Sequence, residues 1–166
     1  ARKFNRMYGA VFPEPETLRG KVSRLSGTDG KGKISKSQGN VILLSDSREA
    51  VEKKVRGMYT DPNRIRADIP GKVEGNPVFQ YLDAFTTEDK NVEDFKKRYR
   101  EGNIGDVEIK NYLANILNDF LDPIREKRLY FQSNMKLVEE ALDKGVENAR
   151  KSANETMQLV RDKMKV

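Results

Sequence analysis

The chain contains no cysteine, which excludes disulfides and thiolate chemistry. Histidine is absent as well, so a motif built on histidine has no place in it. No apolar run approaches the length that crosses a bilayer. The opening residues Ala1-Arg2-Lys3-Phe4-Asn5 carry no apolar signal core. Together these absences predict a cytoplasmic protein with no membrane partner. Apolar residues are scarce: 36% of the 166 residues are hydrophobic and 35% are charged, a lean supply for a core and one that suits exposed helices. The alternation of apolar strands with helices that a doubly wound sheet requires is missing too. The Asp and Glu residues show no metal-ligand constellation, so any magnesium is expected to arrive bound to a phosphate ligand.

Positive charge is in surplus, with a net value of +6. It is unevenly placed. Residues 1–75 hold 16 basic and 9 acidic side chains, whereas residues 76–166 hold 16 and 17. A basic front half suits a polyanion, although ordinary solubility charge accounts for the totals equally well. Within that half lies the stretch Gly27–Asn40, which packs four glycines, three lysines and two serines into fourteen residues. Glycines let a backbone bend sharply and approach a ligand closely. Lysines bring compact positive charge, and hydroxyls and free backbone N–H groups bring short donors, the surroundings that phosphate oxygens need. The stretch is therefore expected to be a mobile polyphosphate-binding loop.

Two patterns compete for it. Gly27, Gly32 and Lys33 fit the spacing of a P-loop, but Ile34 stands where that motif needs a Ser or Thr for magnesium. The preceding Lys21–Ser26 is also only faintly strand-like. The second pattern is Lys33-Ile34-Ser35-Lys36-Ser37. It resembles the signature loop of class I aminoacyl-tRNA synthetases, usually Lys-Met-Ser-Lys-Ser. Ile for Met is a mild departure between apolar residues of similar size, and its expected job is to seat the loop against the body of the protein.

The flanks favour the second pattern. Arg24-Leu25-Ser26-Gly27-Thr28-Asp29-Gly30 and Gly39-Asn40-Val41-Ile42-Leu43-Leu44-Ser45-Asp46-Ser47 are similar to segments of tryptophanyl-tRNA synthetases. So are Phe12-Pro13-Glu14-Pro15, Thr60-Asp61-Pro62, Asn76–Asp83 and Pro123-Ile124-Arg125-Glu126. Tyrosyl relatives share the signature loop, but the later blocks look tryptophanyl. The resemblance implies a tryptophan–tRNA ligase, with ATP and Mg2+ as the nucleotide substrate and tRNA(Trp) as partner. It implies that Lys36 contacts the leaving phosphates with help from Lys33. Ser35, Ser37 and the loop's backbone N–H groups, with Ile34 as the apolar anchor, would fix its closed form around those phosphates. The family's His-Ile-Gly-His-type motif is missing, so the chain resembles only the C-terminal half of such an enzyme. Tryptophan binding and the homodimer typical of the family would depend mostly on the other half, and activity alone is not expected. A free-standing helical RNA-binding module with a basic surface loop is the alternative.

Read in order, the chain is expected to be mainly α. Residues 1–45 form an irregular remnant of a catalytic domain carrying the loop, and residues 46–166 form a helical anticodon-binding bundle. Residues 1–26 read as loop with short extended pieces, and Asn40–Leu44 as a strand or buried linker. Ser47 caps a helix over about 48–59. Residues 61–75 read as a surface loop in which Arg64 and Arg66 are solvated. Asn76-Pro77 opens a helix that runs through Thr86. Further helical patterns cover Glu88–Arg100, Asp106–Phe131 with a kink or interruption at Pro123, and Met135–Met164 with a soft point at Gly145. Of the aromatics Tyr81, Phe85, Phe95, Tyr99, Tyr112 and Phe120, most are expected in the core rather than stacked on RNA bases.

Overall fold

The structure is a computed structural model that describes residues 1–19, 22, 24–87 and 89–166. Among the described residues there are six helices: α1 Arg2–Tyr8, α2 Arg48–Arg56, α3 Pro77–Phe85, α4 Lys90–Glu101, α5 Asp106–Ser133 and α6 Met135–Met164. No strand occurs among them, only an isolated antiparallel bridge between Ser26 and Lys33. The chain is thus mainly α, as its composition implies. It divides into two compact units, Gly20–Lys127 on one hand and Ala1–Arg19 with Arg128–Val166 on the other.

Within the Gly20–Lys127 unit, α2, α3 and α4 start where capping residues dictate. The Ser47 hydroxyl accepts from Ala50 N at 3.2 Å. Asn76 accepts from Val78 N at 3.0 Å, ahead of Pro77 in the first helical position. Asp89 accepts from Asn91 N at 2.9 Å; Glu88, where the pattern begins, lies outside the described residues. Each side chain satisfies a donor that the first helical turn leaves without a partner. At the other end, α4 stops at Gly102 in the left-handed conformation.

The apolar stripes of these helices make one core. Val51 and Val55 of α2, Val78, Phe79 and Leu82 of α3, Val92, Phe95 and Tyr99 of α4, and Ile109, Leu113, Leu117 and Leu121 of α5 are buried. Burying each such side chain contributes about 1.5–3 kcal/mol. Edge-on aromatic pairs stitch the helices together: Phe79 to Tyr99 at 5.0 Å, Phe95 to Tyr112 at 5.0 Å, and Phe85 to Phe120 at 5.1 Å between ring centroids. Tyr81, Phe95 and Tyr99 are buried and Phe85 and Tyr112 half-buried, while Phe120 is exposed. The aromatic stripes are therefore largely core, as expected.

Pro123 does not interrupt α5, which runs unbroken to Ser133. The proline removes one N–H from the helical ladder, but its neighbourhood is strongly tied. Arg125 bonds the buried Asn118 side chain at 2.9 Å and the Asp46 carbonyl at 2.8 Å, and pairs with Asp122 at 2.6 Å. Residues 40–44 form no strand: Ile42 is half-buried against the core and Leu44 is exposed.

Arg64 corrects a further expectation. Its side chain is 1% exposed rather than solvated. It donates to the carbonyls of Ile69 and Ala67 at 2.7 Å each and to that of Ile104, and pairs with Asp106 at 2.9 Å. Its guanidinium also lies 4.2 Å from the centre of the Tyr99 ring. Arg66 is exposed, as expected.

In the other unit, residues 2–8 form α1 where loop was expected. Phe4 meets Tyr8 at 5.0 Å and Phe12 at 5.1 Å. The Asn5 side chain accepts from Val11 N at 3.1 Å and Phe12 N at 3.0 Å and donates to Phe12 O at 2.7 Å, folding the following segment back over the turn. Pro13 and Pro15 lie in non-helical backbone. The helix α6 passes Gly145 without a break. Its apolar positions Leu137, Leu142, Val146 and Met157 are exposed, and Val160 is its buried one.

Candidate functional site

The lysine-serine loop begins as a tight double-backed turn. Ser26 and Lys33 bridge antiparallel, Gly27 N donates to Gly32 O at 2.8 Å, and Gly30 N donates to Gly27 O at 2.9 Å. A second turn follows, closed by Gly39 N donating to Lys36 O at 3.1 Å. No helix opens directly after the loop; the next one starts at Arg48. The P-loop pattern therefore lacks the helix N-terminus on which such a motif seats phosphate. Of the segment before it, Lys21 and Ser23 lie outside the described residues.

Asn40 occupies the space between the two turns and is 4% exposed. Its carbonyl oxygen accepts from Ser35 N at 2.7 Å. Its amide nitrogen lies 3.1 and 3.2 Å from the two Asp29 oxygens and 3.3 Å from Lys33 O. Its backbone carbonyl accepts from Thr28 N at 3.0 Å. Asp29 also accepts from Lys31 N at 3.1 Å. That N–H, with the Asn40 amide assisting, holds the Asp29 carboxyl below its ordinary pKa. Gly27 closes the arrangement, because a Cβ there would stand 2.3 Å from the Asn40 nitrogen.

The base of the loop is fastened to the helical core. Tyr59 N donates to Thr28 O at 2.8 Å, and the Tyr59 ring packs so closely on Gly30 that a Cβ there would lie 2.6 Å from it. Tyr81 Oη donates to Ser26 O at 3.2 Å, and Ser26 N donates to the Gln80 side chain at 3.3 Å. Ile34 turns into an apolar recess of about 110 Å³, which it lines with Leu25, Ile42, Tyr81, Phe85 and Leu117.

The predicted site residues thus divide by environment. Lys33, Lys36 and Ser37 are exposed, while Ile34 and Ser35 are half-buried. The Ser35 and Ser37 hydroxyls share a hydrogen bond of 2.9 Å. Among the described residues, neither lysine is ion-paired to a carboxylate. Two uncommitted ammonium groups and two hydroxyls on a fastened base form a donor set suited to a multiply charged phosphate. Sequence reasoning missed Asn40, Asp29 and Tyr59 as parts of this site. Asp29 and Asn40 stand inside the very blocks that carry the resemblance, but nothing in their spacing announces that they meet.

The family model described as tRNA synthetases class I (W and Y) matches residues 1–122. The chain belongs to that family. Among class I synthetases, the tryptophan–tRNA ligase of Chlamydia caviae is 54% identical over 166 residues, covering 100% of this chain and 48% of the relative. That of Treponema pallidum is 51% identical over 164 residues, covering 99% and 49%. The crystal structure of the Campylobacter jejuni tryptophanyl-tRNA synthetase complexed with ADP and tryptophan matches with a TM-score of 0.75 at 30% identity. That match covers 100% of this chain and 51% of the other. The chain spans about half the length of the curated relatives it matches. No described helix of this synthetase chain is long and apolar enough to cross a membrane.

Proposed function

We propose that the chain is the part of a tryptophan–tRNA ligase that supplies the ATP-phosphate loop, within residues 1–45, and the tRNA anticodon-binding helices, within residues 46–166. The observation that carries this reading is the exposure of Lys33, Lys36 and Ser37 on the loop's fastened base, in a synthetase chain similar to tryptophan–tRNA ligases. In the reaction, the tryptophan carboxylate attacks the α-phosphorus of ATP. The bond to the bridging oxygen breaks, and pyrophosphate leaves with the charge that develops on it. In this reading Lys36, with Lys33, takes up that charge, and such stabilisation lowers the barrier when it is stronger in the transition state than in the ground state. Ser35, Ser37 and loop N–H groups hold the closed arrangement, in the manner of a lid that sequesters its substrate. Among the described residues no cluster of three acidic side chains could hold a metal ion. Mg2+ would come with ATP, which needs few protein ligands for it.

The test is ATP–pyrophosphate exchange in a full-length enzyme containing this segment. Lys36→Ala is expected to slow exchange by about a hundredfold or more, the scale of one lost charge-stabilising contact, while tryptophan binding stays within a small factor. Equal losses in rate and tryptophan affinity would contradict the role, because a contact made only in the transition state lowers rate selectively. The 166-residue chain by itself is expected to show background exchange only.

A further inference from the structure

We propose that Asn40 is a positioning residue for polyphosphate capture: its side chain locks the two turns of the loop so that Lys33 and Lys36 are presented together. This rests on the phosphate-loop reading above and assigns it a device that the signature residues do not include. Asn40 is polar and buried, yet both ends of its amide are satisfied. The oxygen holds Ser35 N at 2.7 Å, and the nitrogen lies within bonding distance of the Asp29 carboxylate and Lys33 O. The three partners flank and enter the signature itself, so the side chain bridges the glycine turn before it and the lysine-serine turn after it.

The chemistry of the pair makes the lock directional. Only a group with an acceptor at one end and a donor at the other can meet Ser35 N–H and a carboxylate together. The bond to Asp29 is charge-assisted, and such bonds exceed neutral ones in strength. Gly27 leaves the space that the Asn40 side chain fills, since a Cβ would stand 2.3 Å from its nitrogen. The glycine turn is in turn held to Tyr59 through Thr28 O at 2.8 Å. The lysines therefore project from a frame whose entropy is already spent before ligand arrives, which is the general route by which preorganisation raises affinity.

The lock can be opened and re-formed without changing net charge. Asn40→Ala removes it. The double variant Asp29→Asn with Asn40→Asp exchanges the bond between the two side chains and keeps an acceptor for Ser35 N, at the loss of the donor to Lys33 O. Both variants are titrated with inorganic pyrophosphate beside the unaltered chain, following the backbone amides of Lys33–Gly39 by NMR. Thermal unfolding midpoints report on the helical core separately. Asn40→Ala is expected to lower pyrophosphate affinity about tenfold or more, the scale of one charge-assisted bond lost. The exchanged pair is expected to recover most of that loss, with the midpoint little changed in both. If the unaltered chain binds and Asn40→Ala binds equally well, the lock has no positioning role. The same conclusion follows if affinity falls only in step with the unfolding midpoint. If the unaltered chain gives no saturable response in these amides, the phosphate-loop reading itself falls.

Discussion

Arg64 binds three backbone carbonyls and one carboxylate from the segments 67–69 and 104–106. No other side chain type can do this, because the guanidinium alone offers five donors in a fixed fork. Arg64→Lys is therefore expected to destabilise the Gly20–Lys127 unit by about 3 kcal/mol, the cost of leaving buried acceptors and a buried charge poorly matched. Urea unfolding checks this through a lower midpoint with an unchanged slope. The contrast with Lys36 shows what is legible at this scale. Lys33, Ser35, Lys36 and Ser37 announce their chemistry by type and spacing, and the structure leaves their lysines in solvent. Arg64 looks like any loop arginine in sequence, since the Tyr99 ring and the Ile104 carbonyl that define it are remote along the chain. Asn40 was hidden for the same reason: a satisfied buried amide is defined by its partners.

At the scale of elements, caps and breaks were the readable features. Ser47, Asn76-Pro77 and Gly102 stand at the helix ends they predict. Two local rules were overridden. α1 forms without a side-chain cap, and a helix of seven residues gives little periodicity to read; the Phe4 aromatic contacts and the Asn5 bonds accompany it. α5 survives Pro123 because Arg125 and Asn118 bind the turns around it. The start of α4 has a pH signature. The Asp89 carboxylate accepts from Tyr112 Oη at 2.5 Å and from Asn91 N at 2.9 Å, and these bonds, the tyrosine's first, hold its pKa below the ordinary 3.8. A group with a lowered folded-state pKa contributes stability that is present above the ordinary value and lost as pH falls through the folded one. The urea midpoint of the unaltered chain is thus expected to fall as pH drops below 3.8. Asp89→Asn, which keeps an acceptor but does not titrate, should flatten part of that fall. An identical acid profile in the two proteins would contradict the assignment.

For the molecule as a whole, the charge asymmetry and the helix surfaces matter most. Residues 1–75 carry 16 basic against 9 acidic side chains, and Lys33 and Lys36 are among the exposed ones. A tRNA partner would be met through phosphate contacts, each releasing counterions. Filter binding of tRNA(Trp) transcripts is expected to weaken steeply with salt and to weaken further when the anticodon is altered; indifference to the anticodon would reduce the interaction to generic electrostatics. The mainly helical class was legible from the 3.6-residue spacing, but the fate of the α6 stripe was not. Periodicity reports that one side of a helix is apolar, and Leu137, Leu142 and Met157 are exposed all the same. The hollow that Ile34 helps to line has one more consequence. Apolar burial weakens on cooling, so chilling the protein should loosen the hold of Ile34 on that recess and with it the seating of the signature residues.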